Sequence, residues 1–250
     1  MDLGIKDQVA IVTGGGAGIG AETCLMLAGE GAHVAVVDLR MEKAEEVAEQ
    51  VRSRGVRAAA MQVDVSRLEQ TEEMVAKTLS EFGRVDILDN VAGVALPGLF
   101  ENSKPEQWQK EIDVCLYGVM NCCKSVIKPM MEQSHGRIVN VASDAGKAGE
   151  KIMVSYSAAK AGIMGFSRSL AKEMGRYWIS VNVVCPGTTK GTGMTALLND
   201  ELEKKWVKSY ALRRLGQPED SARMIVFLSS KAADWMTGQA VSVNGGYFMG

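Results

Sequence analysis

The sequence predicts an α/β protein, a doubly wound parallel sheet of seven strands with helices on both faces. Short apolar runs alternate with amphipathic stretches almost to the C-terminus, the pattern of strand and helix taking turns along a chain. The strand candidates are apolar throughout rather than at every second residue, which implies burial on both faces. A glycine cluster directly follows the first of them, where the chain must turn sharply into a helix.

The elements follow in order. Val9 to Thr13 reads as a buried strand and Ile19 to Glu30 as a helix. His33 to Asp38 is the second strand, Glu42 to Arg54 the second helix and Ala58 to Val63 the third strand. Ser66 is the candidate cap of a helix running to Phe82. Val85 to Asn90 is a fourth strand, and one long helical pattern covers Pro105 to about Gln133. Arg137 to Ala142 is a fifth strand, Tyr156 to Tyr177 a helix and Ser180 to Cys185 a sixth strand. Gln217 to Ser230 is a helix, and Gln239 to Val243 the last strand. Ligands of such sheets bind beyond the carboxyl ends of the strands. The segments after Thr13, Asp38, Asn90, Ala142 and Cys185 are therefore the ones to search.

At 250 residues, one α/β domain of this kind buries roughly three quarters of its unfolded surface and needs no staple. The chain is 46% apolar and 23% charged, with a net charge of -2, which argues against a nucleic-acid partner. No stretch approaches the ~18 apolar residues of a spanning helix. Met1 to Gln8 lacks the basic start and apolar core of a signal peptide, so a cytoplasmic location is expected. Cys24, Cys115, Cys122, Cys123 and Cys185 form no C-x-x-C pair, and there are only two histidines. Neither a disulfide framework nor a metal site is expected from them.

The glycine loop reads Thr13-Gly14-Gly15-Gly16-Ala17-Gly18-Ile19-Gly20. Glycines let the backbone approach a phosphate closely, and the following helix offers free N–H groups and a positive dipole end. A P-loop is excluded, because Ala21-Glu22 stand where Lys-Ser/Thr is required. Asp38 closes the second strand, 18 residues past Gly20. A carboxylate there hydrogen-bonds the ribose hydroxyls of an adenosine and repels a 2′-phosphate, which predicts NAD over NADP. Arg40, two residues on, is the feature that would soften the preference. The whole reads as one Rossmann-type domain, with a cofactor part over about 1–142 and a catalytic and substrate part over 143–250.

Ser143 follows the fifth strand, and Tyr156-Ser157-Ala158-Ala159-Lys160 opens the next helix. Positions i and i+4 share a helix face, so Tyr156 and Lys160 point the same way. A phenol has a pKa of ~10, and bringing it to about 7 requires ~4 kcal/mol. One cation at ~4 Å supplies about that much at an effective dielectric of 20. Lys160 and a positive nicotinamide ring are the expected source, with the Ser143 hydroxyl bonding the substrate oxygen. Ser157-x-x-Lys160 also matches the Ser-x-x-Lys of penicillin-recognising enzymes, but the supporting Ser-Asp-Asn and Lys-Thr-Gly are absent.

With these residues in place the sequence resembles the short-chain dehydrogenase/reductase family over essentially its whole length. The resemblance rests on Thr13-Gly14-x-x-x-Gly18-x-Gly20, Asp64-Val65, Asn90-Val91-Ala92-Gly93, Ser143, Tyr156-x-x-x-Lys160, Asn182, Pro186-Gly187 and Gly245-Gly246. It implies a cofactor site of Gly14, Gly16, Ala17, Gly18, Ile19, Asp38, Leu39, Asp64, Val65, Asn90, Ala92, Gly93, Tyr156, Lys160, Pro186, Gly187 and Thr189. Asp64 and Val65 would flank the adenine, Lys160 would hold the nicotinamide ribose, and Thr189 would meet the carboxamide. It also implies a homo-oligomer, tetramer or dimer, paired through the two long helices. Two positions depart from the pattern. Val91 stands where the family has a second Asn, and Cys115, in Asp113-Val114-Cys115-Leu116-Tyr117-Gly118, stands where many members carry a catalytic Asn. That Asn holds a water in the family's proton relay. Cys115 therefore leaves three readings: an enzyme with an altered relay, a weak or inactive subunit paired with an active homologue, or a redox-sensing thiol.

The substrate side is expected in Val94 to Phe100, Asp144 to Val154 and Thr188 to about Tyr210. Met153 and Met194, with Leu96, Ile152, Leu197 and Leu198, suit a hydrocarbon ring or chain; Lys147, Lys151 and Lys190 would greet a carboxylate or the phosphates of coenzyme A, or are solvated loop charges. Ser143-Asp144-Ala145-Gly146, together with Asn182 to Gly187, resembles members that oxidise alicyclic hydroxyacyl-CoA esters. The expected activity is a NAD-dependent interconversion of a secondary alcohol and a ketone, with hydroxyacyl-CoA esters among the candidates.

Overall fold

A computed structural model describes residues 2–195 and 199–250. Its seven strands form one all-parallel sheet in the order β3-β2-β1-β4-β5-β6-β7. They are β1 (Val9–Thr13), β2 (His33–Asp38), β3 (Ala58–Gln62), β4 (Ile87–Asn90), β5 (Gly136–Val141), β6 (Ile179–Pro186) and β7 (Ala240–Val243). Every residue of β1, β4, β5 and β6 is buried, as in a parallel sheet covered on both faces. The chain steps outward through β2 and β3, then crosses back to lay β4 beside β1, with Thr13 opposite Asn90 in register. This reversal opens a crevice at the carboxyl ends of β1 and β4.

Helices α1 (Gly18–Gly29) and α2 (Met41–Arg52) cover one face of the sheet, where Cys24, Leu27, Val47 and Val51 pack on Val12, Val34 and Val36. On the other face lie α3 (Leu68–Phe82), α5 (Gly118–Gln133) and α7 (Val154–Met174), whose Met74, Val126 and Ile163 share a core with Ile11, Leu88 and Ile138. The apolar stripe of α9 (Pro218–Leu228) closes the first face over β5 and β6, placing Ile225 and Leu228 against Val139 and Val184. No helix among the described residues is long and apolar enough to cross a membrane.

Four local expectations change. Ser66 does not cap α3; the helix starts at Leu68 after Arg67, and the Ser66 hydroxyl donates to Asp64 at 2.7 Å. The second helix stops at Arg52 rather than Arg54, just before Gly55 at a φ of 85°. The single helix expected from Pro105 to Gln133 is two helices, α4 (Pro105–Ile112) and α5, joined by a wide π turn over Asp113–Tyr117. Two short helices, α6 (Ala145–Ala148) and α8 (Asp200–Val207), interrupt segments expected to be loops.

Candidate active site

The carboxyl end of β1 carries the glycine loop. Gly14 has a φ of 65°, and a Cβ there would lie 2.9 Å from the Ala92 backbone, so the turn admits no side chain. At Gly16 a Cβ would meet Asp38 Oδ2 at 2.9 Å. That closeness puts the loop on the end of β2, where the Gly16 N–H donates to Asp38 at 3.1 Å. Asp38 also accepts from the Arg40 backbone N–H at 3.0 Å. Ala17 precedes α1 without a side-chain cap, so the first N–H groups of α1, from Gly18 and Ile19 onward, are free for an anion. Leu39, on the rim beside Asp38, is exposed.

Across the crevice, the Thr13 hydroxyl accepts the backbone N–H groups of Val91 (3.1 Å) and Ala92 (3.3 Å). The substitution of Val91 for the family Asn thus leaves the backbone tether in place. Asn90 donates to Asn140 at 2.9 Å, and its buried Oδ1 has no partner among the described residues. Asp64 is engaged locally, accepting from the Ser66 N–H at 3.0 Å, and Val65 is buried. Pro186 ends β6, and beyond Gly187 the buried Thr189 hydroxyl donates to the Gly187 carbonyl at 3.1 Å. A glycine loop that rejects a Cβ, an uncapped helix end, a carboxylate at the end of β2 and an orphaned amide oxygen together fit a nicotinamide dinucleotide.

The catalytic candidates meet at the carboxyl ends of β4, β5 and β6. Tyr156 and Lys160 lie one turn apart on the buried face of α7, 3% and 2% exposed. The Lys160 ammonium donates to the Val141 carbonyl at 2.7 Å and lies 5.6 Å from the centre of the Tyr156 ring. Burial holds the Tyr156 phenol well above its ordinary range, the nearby Cys115 adds to the rise, and the hydroxyl of Ser143 works against it. Burial also lowers Lys160. The expected source of help to the phenol is Lys160 together with a positive nicotinamide ring, and only the first of these belongs to the chain. In the protein alone desolvation dominates, and the ammonium is turned to a carbonyl.

Cys115 sits in the middle of the π turn, fully buried, packed with Tyr156 and Ala159 and with Met153 against them. Its thiol accepts from the Val94 N–H at 3.4 Å and donates to the Val94 carbonyl at 3.2 Å. A Cβ on Gly93 would lie 3.4 Å from Lys160 Nζ and 3.7 Å from Cys115 Sγ, so all three line one small space. Helix interruptions of this kind gather at functional sites.

The substrate side is reached by part of the expected set. Ile152 holds a left-handed φ of 61°, which a β-branched residue rarely adopts, and its carbonyl accepts the Gly98 N–H at 2.8 Å. That bond joins the two segments, and each carries exposed apolar side chains, Leu99 and Phe100 on one and Ile152 and Val154 on the other. Lys147 turns away; its ammonium donates to the Ala240 carbonyl and the Ser242 hydroxyl, each at 2.9 Å, on the edge strand β7. Lys190 pairs with Glu203 at 2.6 Å, and Lys151 is exposed. The side chain of Met194, with Leu197 and Leu198, lies outside the described residues. The sequence did not single out Glu111, a buried carboxylate of α4 whose partners lie on two other segments. Its signal was an acid on the inward face of an otherwise amphipathic helix. Among the described residues no group of three or more His, Cys, Asp or Glu is placed to hold a metal ion.

Fold and site define an oxidoreductase with a dinucleotide crevice and a Tyr-Lys pair at its mouth. The family model for short chain dehydrogenase matches residues 8–203, and the chain belongs to the short-chain dehydrogenase/reductase family, whose members use nicotinamide cofactors. It is 38% identical over 244 residues to a 3-oxoacyl-[acyl-carrier-protein] reductase FabG of Staphylococcus epidermidis, covering 97% of this chain and 100% of that one. A FabG of Chlamydia muridarum is 38% identical over 243 residues, covering 97% and 98%. Among solved structures, one described as a short-chain alcohol dehydrogenase from Sinorhizobium meliloti superposes with a TM-score of 0.94 at 30% identity, covering 99% of this chain and 98% of that one. The chain is accordingly an oxidoreductase acting on CH–OH groups.

Proposed function

We propose that this chain is a NAD-dependent oxidoreductase that interconverts a secondary alcohol and a ketone, with Tyr156, Lys160 and Ser143 as its catalytic residues and a 3-hydroxyacyl thioester, such as a coenzyme A ester, as its alcohol. The carrying observation is the buried Tyr156–Lys160 pair beside Ser143 and Gly93. The nicotinamide ring supplies the hydride acceptor or donor and, when oxidised, a positive charge. The Ser143 hydroxyl hydrogen-bonds the substrate oxygen and holds it for Tyr156. The phenol takes the proton from the carbinol in oxidation and returns it to the ketone oxygen in reduction. Lys160 keeps a cation beneath the phenol ring and presents donors to a bound ribose. The apolar walls around Tyr156 exclude water from the hydride path.

Asp38 supports NAD, since a buried carboxylate at the end of β2, beside the Gly16 N–H, would bond an adenosine ribose hydroxyl and repel a 2′-phosphate. The relatives named 3-oxoacyl-[acyl-carrier-protein] reductase support an acyl thioester, and the rim of Leu99, Phe100, Ile152 and Val154 suits its hydrocarbon part. Lys147 and Lys190, bound elsewhere, are not the phosphate contacts of this reading. The protein works as a homo-oligomer in the cytoplasm, where its five free, buried cysteines stay reduced.

The test is NADH appearance with a panel of secondary alcohols and 3-hydroxyacyl-CoA esters, run with NAD and NADP in parallel. Turnover of a 3-hydroxyacyl-CoA with NAD is the expected result. Silence across the panel, with NAD still bound in calorimetry, would favour a non-catalytic subunit needing a partner homologue.

A further inference from the structure

Glu111 is 2% exposed, so its carboxylate needs partners on both oxygens. It has them, and they come from different parts of the chain. Oε1 accepts the Leu96 backbone N–H at 2.7 Å, from the segment that follows β4. Oε2 accepts the hydroxyl of Ser155, in the first turn of α7 and adjacent in sequence to Tyr156. An anion at that place also complements the dipole of a 21-residue helix. The same two segments meet again where Gly98 donates to Ile152.

We propose that Glu111 is a positioning residue for Tyr156, one carboxylate fastening the 94–99 segment to the first turn of the helix that carries the phenol. This rests on the reading of Tyr156 as the proton-transfer group. The arrangement sets the distance between the substrate rim, which includes Leu99 and Phe100, and the phenol. It also sets the charge around that phenol. The groups facing Tyr156 are Cys115 from the π turn, Ser143 after β5, Cys185 from β6, Lys160 from its own helix and Glu111 from α4. Glu111 opposes ionisation of the phenol through its negative charge.

The experiment compares wild type with Glu111→Gln, Glu111→Ala, Ser155→Ala, the double variant Glu111→Ala/Ser155→Ala, and Tyr156→Phe. The probe reactions are oxidation of 3-hydroxybutyryl-CoA and reduction of acetoacetyl-CoA, with deuterium uptake of the 94–99 segment measured without substrate. Glu111→Gln keeps an acceptor for Leu96 and loses the charge. It should keep uptake low and move the rising limb of the kcat/KM–pH profile to lower pH. Glu111→Ala should speed uptake, raise KM and lower kcat/KM by roughly ten- to a hundred-fold. The double variant should lose less than the product of the two single losses. A wild-type pH limb in Glu111→Gln together with wild-type KM and uptake in Glu111→Ala overturns the proposal. Where neither thioester turns over, uptake decides: no change in Glu111→Ala overturns it. Undiminished turnover in Tyr156→Phe is a different failure, that of the catalytic reading, and the proposal falls with it.

Discussion

The thiol of Cys115 bonds the backbone of Val94 in both directions, accepting its N–H at 3.4 Å and donating to its carbonyl at 3.2 Å. A single side chain thereby closes the π turn onto the segment that runs past Gly93 to the substrate rim. An Asn side chain carries a donor and an acceptor too. The thiol therefore does with weaker bonds what an amide would do at this position, and the site around Tyr156 and Lys160 is assembled around it.

Cys115→Asn is expected to maintain or raise kcat, because the amide forms stronger bonds to Val94. Cys115→Ala, which offers neither bond, should lower kcat about tenfold or more while leaving the dissociation constant for NAD within about twofold. Steady-state kinetics with calorimetric NAD titration reads both. A collapse in rate for Cys115→Asn, with the fold retained by circular dichroism, would mean the thiol has a role that an amide cannot take.

Tyr156→Phe removes the hydroxyl proposed to transfer the proton and leaves the ring packed against Cys115 and Ala159. Turnover should drop by roughly 100- to 10,000-fold, the range for loss of a general acid–base group, with NAD affinity nearly unchanged. Turnover retained within tenfold would remove Tyr156 from the mechanism.

Asp38 accepts the Gly16 and Arg40 N–H groups with its carboxylate at the end of β2. Replacing it with Ser removes the negative charge and frees Arg40 for a phosphate. The ratio of kcat/KM for NAD over NADP should fall by about tenfold or more in Asp38→Ser. An unchanged ratio, or equal use of both cofactors by the wild type, would show that Asp38 does not choose.

Asp89 concerns stability rather than catalysis. It is fully buried on β4, bonded by the Ser229 hydroxyl at 2.8 Å, and its second oxygen has no partner among the described residues. Burial raises it from 3.8 to about 8. A carboxyl that holds its proton in the folded state and loses it in the unfolded one makes stability fall as pH rises. The loss runs from about 3.8 up to about 8 and then levels off. The melting temperature should therefore decline by several degrees between pH 5 and pH 8. Asp89→Asn, which cannot ionise, should flatten that decline. An equal slope in the variant would assign it to other groups.

Much of this molecule is local in the chain, and that part was legible. Strands buried on both faces carry apolar residues at successive positions rather than at every second one, so Val9–Thr13, His33–Asp38 and Ile179–Pro186 are found within a residue. Backbone geometry demands glycine at Gly14, and a spacing of four residues brings Tyr156 and Lys160 to one helix face, so the glycine turn and this pairing show in spacing alone. What tertiary structure decided are the partners of side chains far apart in sequence. Lys147 reads as a loop charge open to substrate, yet it ends on Ser242, 95 residues away, because β7 happens to lie beside it. Glu111 reads as one acid among several on α4, and only the approach of Ser155, 44 residues on, makes it a link between the segment after β4 and the first turn of α7. The reading of Pro105 to Gln133 as one helix misses the π turn, because both flanking helices are amphipathic and the break lies between them. Composition and spacing determine which backbone forms; which buried polar group meets which is settled by packing, where a donor left without an acceptor is too costly to keep.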